Sequence, residues 1–226
     1  MTVVTVAGLG ARSRERGQTF ALGPIDFVLD ARGSLAVVGA AGSGKSLLLS
    51  ALAGLAPSTG VIARPPHVAM IFQRDALDDG KSALDNVILA ARARHISEPE
   101  QVARMALASV GLAGHLDKLP RSLSGGMKKR VGIARAIATA PELILADDPT
   151  AGLDPSTAAE ILALLLDDQA QRRGALVIAT QDVDVVLPHV DSVLVLDRGR
   201  AIYQGSTAHL ADSADTAPYA ARAGAA

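Results

Sequence analysis

Apolar and polar positions alternate in short blocks along this chain. Val3–Val6 and Phe20–Leu29 read as strands, separated by a turn-rich, basic stretch at Gly10–Gln18. Ser34–Val38 (SLAVV) is an apolar run bounded by Gly33 and Gly39, the pattern of a buried strand. Lys45–Leu55 reads as a helix that stops near Pro57, and Val61–Ile62 and His67–Phe72 as further strands. Ser82–Arg94 and Ser97–Val110 carry helical spacing. In the second, Val102, Met105, Ala106, Ser109 and Val110 step by three and four, with Ser97 as the expected cap. Gly125–Ala138 predicts another helix and Leu143–Ala146 a short buried strand. Asp154-Pro155 supplies a cap and a first-turn proline for a helix running to Arg173. Leu176–Ala179 and Val193–Leu196 predict strands, and Arg198-Gly199 turns the chain back into Ala201–Gln204.

Strands alternating with helices imply a parallel sheet covered on both faces. The mostly helical run 82–140 interrupts that alternation and reads as a helical lobe inserted between core strands. No internal repeat or long linker breaks the chain. The expected organisation is therefore one domain over 1–210, with its helical lobe at about 77–140, and a frayed small-residue tail over 211–226.

Composition narrows the picture. The 226 residues suit one domain, and 49% hydrophobic content supplies a core. Aromatic residues are only 2%, so the core is expected to be aliphatic. A net charge of −1 gives no basic surface for nucleic acid, so no nucleic-acid partner is expected. Cysteine is absent, which excludes disulfides and thiolate sites. No apolar run reaches the roughly 18–20 residues that span a bilayer, and Met1–Gly10 lacks the layout of a signal peptide. A membrane partner stays open.

Two motifs carry chemistry. Gly39-Ala40-Ala41-Gly42-Ser43-Gly44-Lys45-Ser46 matches G-x-x-x-x-G-K-[ST], with Leu47 next to it, and lies between a predicted strand and a predicted helix. Glycines there let backbone N–H groups converge on a phosphate, and the helix N-terminus adds positive potential. Lys45 can reach the β- and γ-phosphates of ATP, and Ser46 can ligate Mg²⁺. Further on, the apolar strand at Leu143 ends in Asp147-Asp148. The end of a parallel strand faces the ligand crevice, so Asp147 can hold Mg²⁺ and Asp148 can orient the attacking water.

Leu123-Ser124-Gly125-Gly126-Met127, then Lys128-Lys129-Arg130-Val131 and Ala134-Arg135-Ala136, precede the acidic strand; Pro149-Thr150-Ala151-Gly152-Leu153-Asp154-Pro155 follows it. Together with the phosphate loop, this combination resembles the nucleotide-binding subunit of ABC transporters over almost the whole chain. The resemblance implies an α/β P-loop NTPase (RecA-like) fold, a parallel sheet core with a small antiparallel β lobe and an inserted α-helical lobe. It implies an ATPase at the cytoplasmic face of the inner membrane, attached through transmembrane permease subunits and paired with a second ATPase subunit as a homodimer or heterodimer. Ser124, Gly125 and Gly126 then resemble the signature motif that contacts ATP held by the other subunit. Gln73 resembles the glutamine that contacts Mg²⁺ and the attacking water, and Asp154 the aspartate at the dimer interface. The wording of 123–131 and 149–155 looks most like the ATPases of Mla/Mce-type bacterial lipid transporters, which would add an MCE-domain partner. Importers of small solutes, with a solute-binding protein, share much of it.

The chain departs from the family pattern in three places. The usual catalytic Glu is Asp148, one methylene shorter, and the usual switch His is Gln181, which cannot carry a charge. No aromatic stands plainly at the adenine; Phe20 has a poor offset, and Arg14 or Arg16 could stack instead. These changes suit a slow ATPase, the weaker half of a heterodimer, or a non-hydrolysing regulatory ATP binder. Only 28 positions separate Lys45 from Gln73, which suggests a trimmed β lobe.

Overall fold

The protein is described from a computed structural model covering residues 2–15, 18–212, 216, 219 and 221. Arg16, the side chain of Arg14 and most of the stretch 211–226 lie outside the described residues. In chain order the elements are β1 (Thr2–Glu15), β2 (Gln18–Asp30), β3 (Ser34–Val38), α1 (Lys45–Ala53), β4 (Ser58–Ala63) and β5 (Val68–Ile71). Then come α2 (Ala83–Ala93), α3 (Pro99–Ser109), α4 (Gly125–Ile137), β6 (Leu143–Asp147), α5 (Pro155–Arg172), β7 (Ala175–Thr180), α6 (Val183–Val186), β8 (Ser192–Asp197) and β9 (Arg200–Ser206).

The central sheet runs β5-β6-β7-β3-β8-β9, parallel except for β9. Its inner strands β3, β6 and β7 are buried along their whole length and largely apolar because each face is covered, and successive residues point to opposite faces. Leu35, Val37, Leu143, Leu145, Val177, Leu194 and Leu196 pack with α1 and the β lobe. Their neighbours Ala36, Val38, Ile144, Ala146, Leu176, Ile178, Val193 and Val195 pack with residues of α2 to α6. Large aliphatic side chains fill both cores, as the scarcity of aromatics predicts.

Three sequence expectations need correction. The stretch at 10–18 is largely strand: β1 and β2 form one long antiparallel hairpin, joined by β4 into a three-stranded sheet. Gly10, read as part of a turn, instead stands at a register shift between Leu9 and Ala11, next to a second shift between Val6 and Leu9. Helix α3 begins later than expected. Glu98 in a left-handed conformation leads into Pro99, and Ser97 is not its cap. Of the predicted stripe, Ala106 and Val110 are buried and Val102 packs against the core, but Met105 is 64% exposed and Ser109 is exposed, while Ala103 and Leu107 complete the buried face. The short helix α6 had no counterpart in the reading.

Candidate functional site

The carboxyl ends of β3, β5, β6 and β7 come level. Val38 pairs with Thr180, Asp147 with Ala179 and Ile71 with Ala146. In such a sheet the crevice beyond these ends is where ligands bind. The cavity there measures about 440 Å³ and is lined by Ser13, Phe20, Ala41, Gly42, Gly44, Lys45, Ser46, Leu47, Gln73, Asp147, Asp148 and Gln181.

The loop 39–46 wraps from β3 into α1 over the turn between β8 and β9. A Cβ on Gly39 would lie 2.2 Å from the Leu196 carbonyl oxygen, so only glycine fits. Gly199 N–H donates to Ser43 O at 3.0 Å and pins the loop from below. Helix α1 starts at Gly44 with no side-chain cap and no acidic residue in its own first turn. Lys45 is buried, and its Nζ donates to the carbonyls of Gly39 at 2.8 Å and Ala40 at 3.0 Å. Burial lowers its pKa, an effect opposed by the charges of Asp148 and Asp147. The Ser43 hydroxyl is buried without a hydrogen-bond partner.

Opposite the loop, Ser46 Oγ donates to Asp147 Oδ1 at 3.0 Å. Burial raises the Asp147 pKa; the Ser46 bond opposes that and the Asp148 charge adds to it. Asp148 sits in the left-handed region at φ 47°, which a short polar side chain tolerates. Its N–H donates to Ala179 O at 2.8 Å, tying that turn to β7. Its Oδ2 accepts from Gln73 Nε2 at 3.3 Å, and Gln181 beside it favours the ionised carboxylate. Burial and then the Asp182 charge push the Asp148 pKa up, against Lys45 and Gln181. The loop from Gln73, both acids and Gln181 thus converge on the phosphate loop. This arrangement can hold a triphosphate tail, a hard cation and a water beside a basic carboxylate.

Other residues named from the sequence lie elsewhere. Ser124, Gly125 and Gly126 open α4, where Ser124 Oγ caps the helix by accepting from Met127 N–H at 3.2 Å. Asp154 caps α5 by accepting from Thr157 N–H at 3.0 Å. The two helix starts touch, since a Cβ on Gly126 would lie 3.0 Å from Thr157 Cγ2. Ser124, Gly125 and Asp154 are exposed, and none of these four lines the cavity.

Sequence reasoning missed several supports. Thr150 Oγ1 donates to Asp182 Oδ2 at 2.7 Å, and Asp182 N–H donates to Thr180 Oγ1 at 2.8 Å, fixing the turn that carries Gln181. No local pattern marks that pair, 32 residues apart. Phe20 does reach the site: it pairs with Ser13 across the hairpin, lines the cavity and approaches Gly44. Its offset looked poor because the hairpin was read as a loop.

Comparisons with known proteins bear on the chain as a whole. A family model described as ABC transporter matches residues 22–151. An aliphatic sulfonates import ATP-binding protein of Streptomyces avermitilis is 40% identical over 179 residues, 78% of this chain and 70% of that protein. A methionine import ATP-binding protein of Pseudomonas fluorescens is 38% identical over 208 residues, covering 83% of this chain but 62% of the relative. Among solved structures, a subunit from Clostridium perfringens that is part of an ABC transporter complex superposes with TM-score 0.81 at 28% identity, over 94% of this chain and 91% of that one. A dimeric ATP-binding cassette bound to ADP and phosphate in a post-hydrolysis state gives TM-score 0.81 at 23% identity, over 91% and 99%, and bears on the fold.

Proposed function

This chain belongs to the ABC transporter family, and from that premise we propose that it is the ATP-hydrolysing subunit of a small-solute importer. The observation that carries the site is the gathering of Lys45, Ser46, Asp147, Asp148, Gln73 and Gln181 around one cavity. The reported relatives import aliphatic sulfonates and methionine, which favours small solutes. The lipid reading of the wording at 123–131 and 149–155, with its MCE-domain partner, gains no support from them and is set aside.

Lys45 and the amides opening α1 hold the β- and γ-phosphates of ATP. Ser46 and Asp147 fit Mg²⁺, because a hydroxyl and a carboxylate already meet beside the loop, and this ion needs few protein oxygens when phosphates and water complete its shell. When bound, Mg²⁺ neutralises charge on the phosphate oxygens. Asp148 accepts a proton from the attacking water while the water's oxygen bonds the γ-phosphorus and the bond to the bridging oxygen breaks, giving ADP and phosphate. Gln73 holds that carboxylate in place with Gln181 beside it, and Phe20 offers its ring to the base.

A second ATPase subunit completes the pocket through Ser124, Gly125 and Gly126, with Asp154 at the same interface. A Cβ on Gly125 would meet nothing within 4 Å in this chain, although glycine weakens a helix. That favours an outside group as the reason for glycine there. Among the described residues no helix is long and apolar enough to cross a membrane. Permease subunits that carry the solute, with this chain on their cytoplasmic side, belong to the same proposal. A solute-binding protein is the further partner that the import reading favours.

The test is ATP hydrolysis by the chain co-purified with its permease and reconstituted in phospholipid vesicles. MgATP turnover stimulated by a sulfonate or methionine with its binding protein is the expected result. Stimulation by phospholipid alone would return the reading to lipids. ATP binding with no phosphate released under any condition would favour a regulatory binder.

A further inference from the structure

Lys129 lies in α4, three residues past Gly126, and is only 7% exposed. A buried ammonium must find partners. Its Nζ donates to the backbone carbonyl of Gln73 and lies 3.7 Å from Asp75 Oδ1. Further along the same helix, Arg135 donates to the carbonyls of Ala76 at 2.5 Å and Asp75 at 3.0 Å. Between them, a Cβ on Gly132 would stand 3.9 Å from Asp75 O. The segment 73–76 therefore lies along α4 with three of its carbonyls held by two cations of one helix. The Gln73 side chain leaves that anchored backbone toward Asp148.

We infer that Lys129 is a positioning residue for hydrolysis: by gripping the Gln73 carbonyl it sets the reach of the Gln73 carboxamide to Asp148. Because α4 also begins at Ser124–Gly126, the same grip joins the glutamine of this chain's pocket to the helix start that serves a facing subunit. Arg135 secures the segment one step further from the site. A carbonyl anchor acts first on where Gln73 stands; Lys129 does not line the cavity, and its charge reaches Asp147 only as the weakest of the influences on that carboxyl. The inference rests on the role given to Gln73 above.

The test compares Lys129→Met, Lys129→Arg, Gln73→Ala and the Lys129→Met/Gln73→Ala double variant in the assembled ATPase–permease complex with MgATP. Misplacement of a catalytic contact by about 1 Å costs on the order of 10²-fold. Lys129→Met should lower kcat by about ten- to a hundredfold, with KM for MgATP changed less than about twofold. Lys129→Arg should recover most of the loss, because a cation again meets the carbonyl. In the Gln73→Ala background, Lys129→Met should add nothing, the mark of two residues acting through one contact. If Lys129→Met does not fold, Lys129→Gln takes its place in the same cycle. Unchanged kcat in the Lys129 variant while Gln73→Ala is slow would overturn the inference and leave the site intact. So would losses that multiply in the double variant. Full activity in Gln73→Ala would remove both the role of Gln73 and the strap built on it.

Discussion

Two glycine-rich helix starts in this molecule look alike in sequence and behave differently in structure. At α1 the chain needs its glycines for itself: Gly39 backs onto Leu196 and Gly44 onto Phe20. The helix has no side-chain cap, and a buried lysine is folded into the loop. At α4 the cap is ordinary, Ser124 to Met127, and Gly125 faces open space. The first is a site finished by one chain. The second places a glycine where nothing in this chain requires one. On the proposed function, the phosphate grip is internal and the opposing half of the pocket comes from a second subunit.

The largest effect should come from breaking the internal half. Lys45→Ala removes the cation from a partly dry loop, where a charge-assisted bond contributes roughly 1.5–3 kcal/mol. ATP affinity, read by equilibrium binding, should fall at least about tenfold and up to about 10²-fold. The fold should persist, because burial already disfavours the charged lysine. Unchanged affinity would mean the triphosphate lies elsewhere.

A pair of alanines sharpens the contrast next. Gly39→Ala puts a methyl 2.2 Å from a backbone oxygen and should destabilise the chain by a few kcal/mol through forced backbone movement. Gly125→Ala meets nothing, and in a helix it should stabilise the isolated chain by up to about 1 kcal/mol. Its cost should appear only in the assembled complex, as lower ATP-dependent dimerisation and turnover. Denaturant melts and ATPase rates read the two separately. A Gly125→Ala chain that melts early, or that turns over normally in the complex, would erase the distinction.

How much of this was legible follows from where the information lies. Strand β3 and the end of β6 could be read because a strand buried on both faces is a short apolar run with sharp limits. The start of α5 could be read because Asp154 caps and Pro155 follows. The hairpin β1–β2 could not, because its bulges break the period-two pattern and its far end is basic. In α3 the stripe was right at Ala106 and Val110 but included Met105, because Ala103 gives a weaker apolar signal than the exposed methionine. In the site, the phosphate loop and the acidic strand end are contiguous words. The supports are not: Lys129 meets a loop 56 residues away, and Thr150 meets Asp182 32 residues on. No local spacing encodes contacts made only when strands and helices assemble.

The smallest expected effect asks whether the internal half is catalytically complete. Asp148 is shorter than the glutamate usual in the family, yet its carboxylate already meets Gln73 at 3.3 Å, with Gln181 beside it. The shortfall is therefore partly absorbed by these neighbours, and the full 10²-fold cost of about 1 Å should not be paid. Asp148→Glu with Gln181→His should raise kcat about tenfold in the complex. The pH profile should change as well. Asp148 must be ionised to take a proton, and burial with the Asp182 charge raises its pKa, so natural turnover should fall on acidification before an ordinary carboxylate would protonate. A histidine at 181 becomes cationic below about pH 6.5 and favours the ionised carboxylate, so the acid limb of the double variant should move to lower pH. A natural enzyme already fast, with a double variant no faster and an unmoved acid limb, would show that Asp148 and Gln181 form a complete pair and that the outside half alone limits the reaction.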